Sequence, residues 1–116
     1  MLAEIHPSRL ASQHELACVY QANGQIEQAI QLLEHVVKVR ETMLAETHPS
    51  RLASQHVLAG VYWANGQTEQ AVQLLEHVVK IKRTTTRNAH PSRTISEDLL
   101  AYIHQQQTYS SNLPIL

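Results

Sequence analysis

A chain of 116 residues is the size of one domain; with 43% hydrophobic residues, no Phe and a single Trp, it can bury a core but cannot offer an aromatic platform for stacking nucleic-acid bases. A formal net charge of −1 with interspersed signs argues against a phosphate-tracking or anionic-membrane surface, so no nucleic acid and no membrane partner is expected. Cys18 is the only cysteine, so no disulfide framework can form within one chain, and a reducing compartment is its simplest home.

The opening, MLAEIHPSRL, has neither a basic n-region nor an apolar h-region. No stretch approaches the ~18 consecutive apolar residues of a membrane span, so a soluble, cytoplasmic protein is expected. Met1-Leu2-Ala3-Glu4 matches Met43-Leu44-Ala45-Glu46, as though the chain opens at the end of a preceding repeat whose front is missing.

The first complete unit starts at His6. HPSRLASQHELACVYQANGQIEQAIQLLEHVVK, from His6 to Lys38, returns almost unchanged from His48 to Lys80, a period of 42 residues (48 − 6), and His90-Pro91-Ser92-Arg93 opens a third, divergent copy. A period of this size signals a stacked array with one supersecondary unit per repeat. Pro7 suits the first turn of a helix, with His6 at the cap, and Leu10, Gln13, Leu16, Ala17 and Tyr20 fall on one side at helical spacing. These features predict helix A from Pro7 to about Ala22, stopped by Asn23-Gly24. Helix B is expected from about Gln25 to about Leu44. Ile26, Ala29, Ile30, Leu33, Val36, Val37 and Arg40 lie on its inner face, and Glu27, Gln28, Gln31, Glu34, His35 and Lys38 face solvent.

The expected divisions are the end of a preceding repeat at 1–5, two two-helix repeats at 6–47 and 48–89, a capping helix at 90–104 and a mobile tail at 105–116. Three β-branched residues after Arg83 predict fraying at the end of the second helix B. The basic residues Lys80, Lys82, Arg83, Arg87 and Arg93 read as a solvated helix end. The fold class is all-α, a right-handed α-solenoid of antiparallel helical hairpins.

Between 6–38 and 48–80 the copies differ at Glu15/Val57, Cys18/Gly60, Gln21/Trp63, Ile26/Thr68 and Ile30/Val72. At about 100° per residue, positions 15, 18 and 21 span roughly 120° opposite Leu16 and Tyr20. The solvent face of helix B recurs unchanged, whereas free drift of exposed positions would alter both faces. Helix A's outward face is therefore the expected working surface, with Trp63 as its anchor. The structural alternatives are packing of Trp63 against the next repeat and Cys18 as a tolerated small residue.

The series Leu16-Ala17, Tyr20, Gly24, Ala29, Leu33 and Val36, repeated as Leu58-Ala59, Tyr62, Gly66, Ala71, Leu75 and Val78, resembles the tetratricopeptide repeat. The 42-residue spacing and the His-Pro opening resemble the kinesin light chain subclass. The near-identity of adjacent copies is similar to the repeat tails of fungal NOD-like receptors. Two features depart from the family: Gln13 and Gln55 replace its early Trp, and no Pro follows helix B. The resemblance implies a concave groove lined by helix A, which would take a protein or peptide through Glu15, Cys18, Gln21, Val57, Gly60 and Trp63, with His14 and His56 as shared contacts. It disfavours a carboxylate clamp, because His14, Cys18, His56 and Gly60 replace the required Lys and Asn.

No nucleophile elbow, phosphate loop or cysteine pair is present, and no enzyme activity or cofactor is expected. His14, His56 and Asp98 recur at the repeat period, but stacked helices are ~8 to 10 Å apart and zinc ligands lie ~2.0 to 2.3 Å from one ion, so a metal site is not expected. The expected function is ligand sensing of the NOD-like receptor kind. Alternatives are a cargo or adaptor scaffold of the kinesin light chain kind, or homo-oligomers through open repeat ends. Leu113-Pro114-Ile115-Leu116 is a further candidate to dock in a groove.

Overall fold

The computed structural model describes residues 6–85 and 91–111, and every regular element among them is a helix: α1 (Pro7–Ala22), α2 (Ile26–Met43), α3 (Pro49–Ala64), α4 (Thr68–Thr85) and α5 (Pro91–Ser111). Residues 1–5, 86–90 and 112–116 lie outside the described residues. With them lie the repeat-like opening, part of the expected fraying region and the Leu113–Leu116 docking candidate.

Local chemistry explains why the two copies fold alike. His6 and His48 cap their helices, each ring Nδ1 accepting from the backbone N–H of Ser8 (3.2 Å) or Ser50 (3.0 Å), and Pro7 and Pro49 occupy the first turn, where a missing N–H costs nothing. Gly24 and Gly66 adopt φ of +80° and +82°, the left-handed conformation that ends a helix without Cβ strain. Beside them, Asn23 and Asn65 each donate a side-chain N–H to Gln25 or Gln67 at 2.9 Å.

Consecutive helices pack in order, α1 on α2, α2 on α3, α3 on α4 and α4 on α5, which makes an elongated body of 56 × 35 × 20 Å. The inner face expected of helix B is observed: Ala29, Ile30, Leu33, Val36, Val37 and Arg40 are buried, and only Ile26 is half-buried. Ala17 and Ala29 in the first hairpin, like Ala59 and Ala71 in the second, are fully buried, and their small side chains let the helices approach around Leu33 and Leu75. Each fully buried leucine contributes ~1.5 to 3 kcal/mol of burial energy.

Three expectations need correction. Leu16, assigned to the inner side of helix A, is 44% exposed and neighbouring Val19 is 62% exposed, while their equivalents Leu58 and Val61 are 4% and 0% exposed. The cause is stacking: α2 covers the corresponding face of α3, and no described helix covers that face of α1. The expected end of the capping helix at residue 104 is also too early. α5 runs on through Gln105–Gln107 to Ser111, so the start of the expected mobile tail is helical.

The third correction concerns the basic cluster, which is not simply a solvated helix end. Lys82 is 6% exposed and donates to Ser96 Oγ at 2.9 Å, while Arg83 and Arg93 both pair with Glu97, at 2.7 and 3.3 Å.

Candidate partner-binding site

The eight expected contact residues all lie on α1 and α3 and differ in their surroundings. Glu15 is exposed, and His14, Cys18, Gln21, His56, Val57, Gly60 and Trp63 are half-buried. Helical periodicity puts residues 15, 18 and 21 on one stripe of α1, and 57, 60 and 63 on the matching stripe of α3. On α3 two of these side chains also serve the core. Val57 packs on the cluster of Ala17, Leu33 and Val61, and Trp63 packs on that of Ala59, Ala71, Leu75 and Ile103. The packing alternative for Trp63 is thus part of its role.

Trp63 also meets Tyr102 of α5 edge-to-face, with ring centroids 5.2 Å apart and planes at 85°. This geometry sets a positive ring edge against a π-face. Tyr102 is 47% exposed, so the pair forms an aromatic edge continuous with the varied stripe. Tyr102 lies outside the stretches in which the two copies match, so the copy differences do not point to it. It follows Gly60 by one period, and positions 18, 60 and 102 form a Cys, Gly, Tyr series.

Gly60 lies within a helix at an open position, because a Cβ there would meet no atom within 4 Å. Glycine in a helix interior costs ~0.5 to 1 kcal/mol relative to alanine. Gly60→Ala is therefore expected to raise stability by about that amount, read as a higher denaturant midpoint at unchanged slope.

The two histidines have different environments despite their equivalent positions. His56 Nδ1 is 2.9 Å from Ser96 Oγ, the same fully buried oxygen that accepts from Lys82 Nζ. An ammonium can only donate, so Ser96 accepts from Lys82 and turns its own proton toward a neutral imidazole. Burial, helped by the nearby Lys82 charge, lowers the pKa of His56. In the first copy the cation is Arg40, which reaches past to the Ser50 carbonyl at 3.0 Å, while Ser54 donates to the Arg51 carbonyl at 2.9 Å. His14 Nδ1 is left buried with no partner among the described residues, and its pKa is lowered by burial and then by Arg40, against an opposing effect of Glu15.

A lowered histidine pKa has a definite sign. The unfolded chain binds the proton more readily, so stability is complete above the ordinary value of 6.5 and falls as pH drops through it. The melting temperature is expected to fall between pH 7.5 and 5.5 (about neutral to mildly acidic), and His56→Gln should flatten part of that slope. Glu97 acts in a separate window. Its hydrogen bond with Arg83 is the main cause of a pKa below 4.5, and the stability it contributes is lost only below that value.

Residues 8–84 match the family model described as tetratricopeptide repeat. The chain belongs to the tetratricopeptide repeat family. Such repeats form non-enzymatic scaffolds that generally mediate protein–protein interaction.

Among solved structures, the chain is similar to the nearly identical TPR-like repeats of a Podosopora anserina protein described as a kinesin light chain. The identity is 57% and the TM-score 0.86, over 90% of this chain and 49% of that one. A glutamine-to-methionine variant of the same protein matches at 55% identity and the same TM-score and coverage. This tetratricopeptide chain thus spans about half the length of the solved structures it matches. No curated protein sequence matches it significantly. No described helix is long and apolar enough to cross a membrane.

Proposed function

We propose that the chain is a protein or peptide recognition module of cytoplasmic setting, and that it binds along the varied stripe of helix A. The placement of the copy differences carries this reading. Three of the five fall at Glu15/Val57, Cys18/Gly60 and Gln21/Trp63, on one stripe of successive helices, while the solvent face of helix B is identical in the two copies. His14 and His56 line the stripe as shared contacts, and the Trp63–Tyr102 pair supplies the rigid apolar anchor that interface hot spots favour.

The context that fits near-identical repeats best is the ligand-sensing region of a fungal NOD-like receptor. A cargo or adaptor scaffold is the second reading, favoured by the likeness to the Podosopora anserina protein described as a kinesin light chain. Alanine at Glu15 or Gln21 should weaken partner binding measurably by calorimetry, whereas alanine at exposed Glu27 should not; equal effects at all three would count against the stripe.

Self-association through the open face of α1 has its own motivating observation, the 44% and 62% exposure of Leu16 and Val19. A monomer by light scattering at high concentration removes that role.

A further inference from the structure

On the opposite side of α3 lies a trough unrelated to the varied stripe. Arg51, Gln55, Leu58 and Tyr62 share one line of the helix, about half a turn around from Val57, Gly60 and Trp63. α2 and α4 each pack on α3 and share at most marginal contact with each other, so this line of α3 forms the floor between two walls. The trough holds a cavity of about 570 Å³. That volume is within the ~300 to 1,000 Å³ of small-ligand sites and exceeds the room a single water needs.

Its polar groups form a specific pattern. Gln55 is 1% exposed and donates Nε2–H to Glu41 Oε2 at 2.9 Å, which fixes the amide orientation, because the flipped amide would set its oxygen against a carboxylate. Gln55 Oε1 is then a buried acceptor without a partner among the described residues. One turn earlier, Arg51 uses Nη1 on the carbonyls of Glu41 and Leu44, both at 3.1 Å, and its Nε–H is a buried donor without a partner among the described residues.

The charges of Glu41 and Arg51 offset each other. A ligand carboxylate would meet Glu41 and the Gln55 oxygen, and an ammonium would meet Arg51. A neutral group with N–H and C=O side by side satisfies both orphans. α4 adds Gln70, Gln73 and His77, which repeat Gln28, Gln31 and His35 unchanged.

The next repeat supplies an internal contrast. One period on, Arg83 replaces Glu41, Glu97 replaces Gln55 and Arg93 replaces Arg51. Both arginines close on Glu97 at 2.7 and 3.3 Å, so the carboxylate beside the α4–α5 cavity is taken up by ion pairs, where the α2–α4 trough keeps a buried acceptor and donor unpaired among the described residues.

We propose that the α2–α3–α4 trough is a second recognition site, which takes the carboxamide of an Asn or Gln side chain carried by an extended peptide. Its N–H donates to Gln55 Oε1 and its C=O accepts from Arg51 Nε.

The test is titration of ¹⁵N-labelled full chain with acetyl-Ala-Gln-Ala-N-methylamide, beside its Glu and norleucine counterparts, followed by NMR. The Gln peptide is expected to shift amides around Arg51–Leu58 and Gln70–His77, leave α5 unmoved, and bind at least about tenfold tighter than the other two. Gln55→Met should abolish that preference with the helical circular dichroism unchanged. If that variant loses helicity, exposed Gln73→Ala provides the same reading through weaker binding of the Gln peptide. Equal affinity for the three peptides, as from a trough that only holds water, overturns the proposal. So do shifts confined to α1 or α5, or a Gln preference that survives the folded variant.

Discussion

Truncating Trp63 to alanine should lower the stability of the chain by about 2 to 3 kcal/mol, below the ~3 to 5 kcal/mol of buried tryptophan truncations because the ring is half-buried. The indole packs on Ala59, Ala71, Leu75 and Ile103, and its loss also removes the edge-to-face contact with Tyr102, itself worth ~0.5 to 1.5 kcal/mol. Two consequences separate this from an ordinary surface change. Amide exchange in α5 should speed up more than in α1, because Trp63 bridges α3 to α5 while α1 touches neither Trp63 nor Tyr102 through any shared core. The matched change Gln21→Ala in the first copy should alter stability by no more than ~0.5 kcal/mol. A loss of partner binding in Trp63→Ala must therefore be measured below its melting transition, where the folded fraction is known.

Ser96→Ala is expected to be the second large effect, about 2 kcal/mol, from the removal of one hydroxyl. His56 Nδ1 and Lys82 Nζ converge on that single oxygen inside the α3–α4–α5 junction, so its loss takes a hydrogen bond from each of two poorly solvated groups at once. Lys82→Met should be milder, close to neutral, because it removes a charge whose burial already lowers its pKa and replaces it with a side chain of similar length. Chemical denaturation of the two variants side by side checks the order. The physical account requires Ser96→Ala to be the more destabilising.

These effects mark where the sequence could be read and where it could not. The helical hairpins were legible because Pro7 and Pro49, Gly24 and Gly66, and the 3.6-residue rhythm of Ile26 to Arg40 all report local geometry, which a helix fixes without help from its neighbours. What one helix does to the next was less legible. The periodicity that placed Leu16 inside is correct for Leu58 and fails for Leu16, because burial of that face depends on a covering helix. Likewise Lys82 belongs to a run of basic residues that locally suggests solvent, yet α5 lands on it and brings Ser96.

A signal for the polar junction was available beyond the stretch in which the copies match closely. At one period apart, Arg40/Lys82, Glu41/Arg83, Ser54/Ser96 and Gln55/Glu97 hold the groups that join adjacent repeats, and the reversal of Glu41 and Gln55 into Arg83 and Glu97 marks the last junction as chemically distinct. The candidate site was legible as a stripe of positions on helix A. Its aromatic edge was not, since Tyr102 becomes Trp63's neighbour only when α5 folds back on α3.

The helix-A stripe as the recognition surface is tested most directly by mapping bound peptides. Peptides selected against the intact chain from a random display library would be titrated into ¹⁵N-labelled protein and their contacts read from backbone amide shifts. The account predicts perturbations concentrated at residues 14–21 and 56–63 and extending to Tyr102. Shifts confined to the solvent face of α2 and α4 away from the trough, around Glu27, Glu34 and Lys38 and their second-copy equivalents Glu69, Glu76 and Lys80, would contradict it.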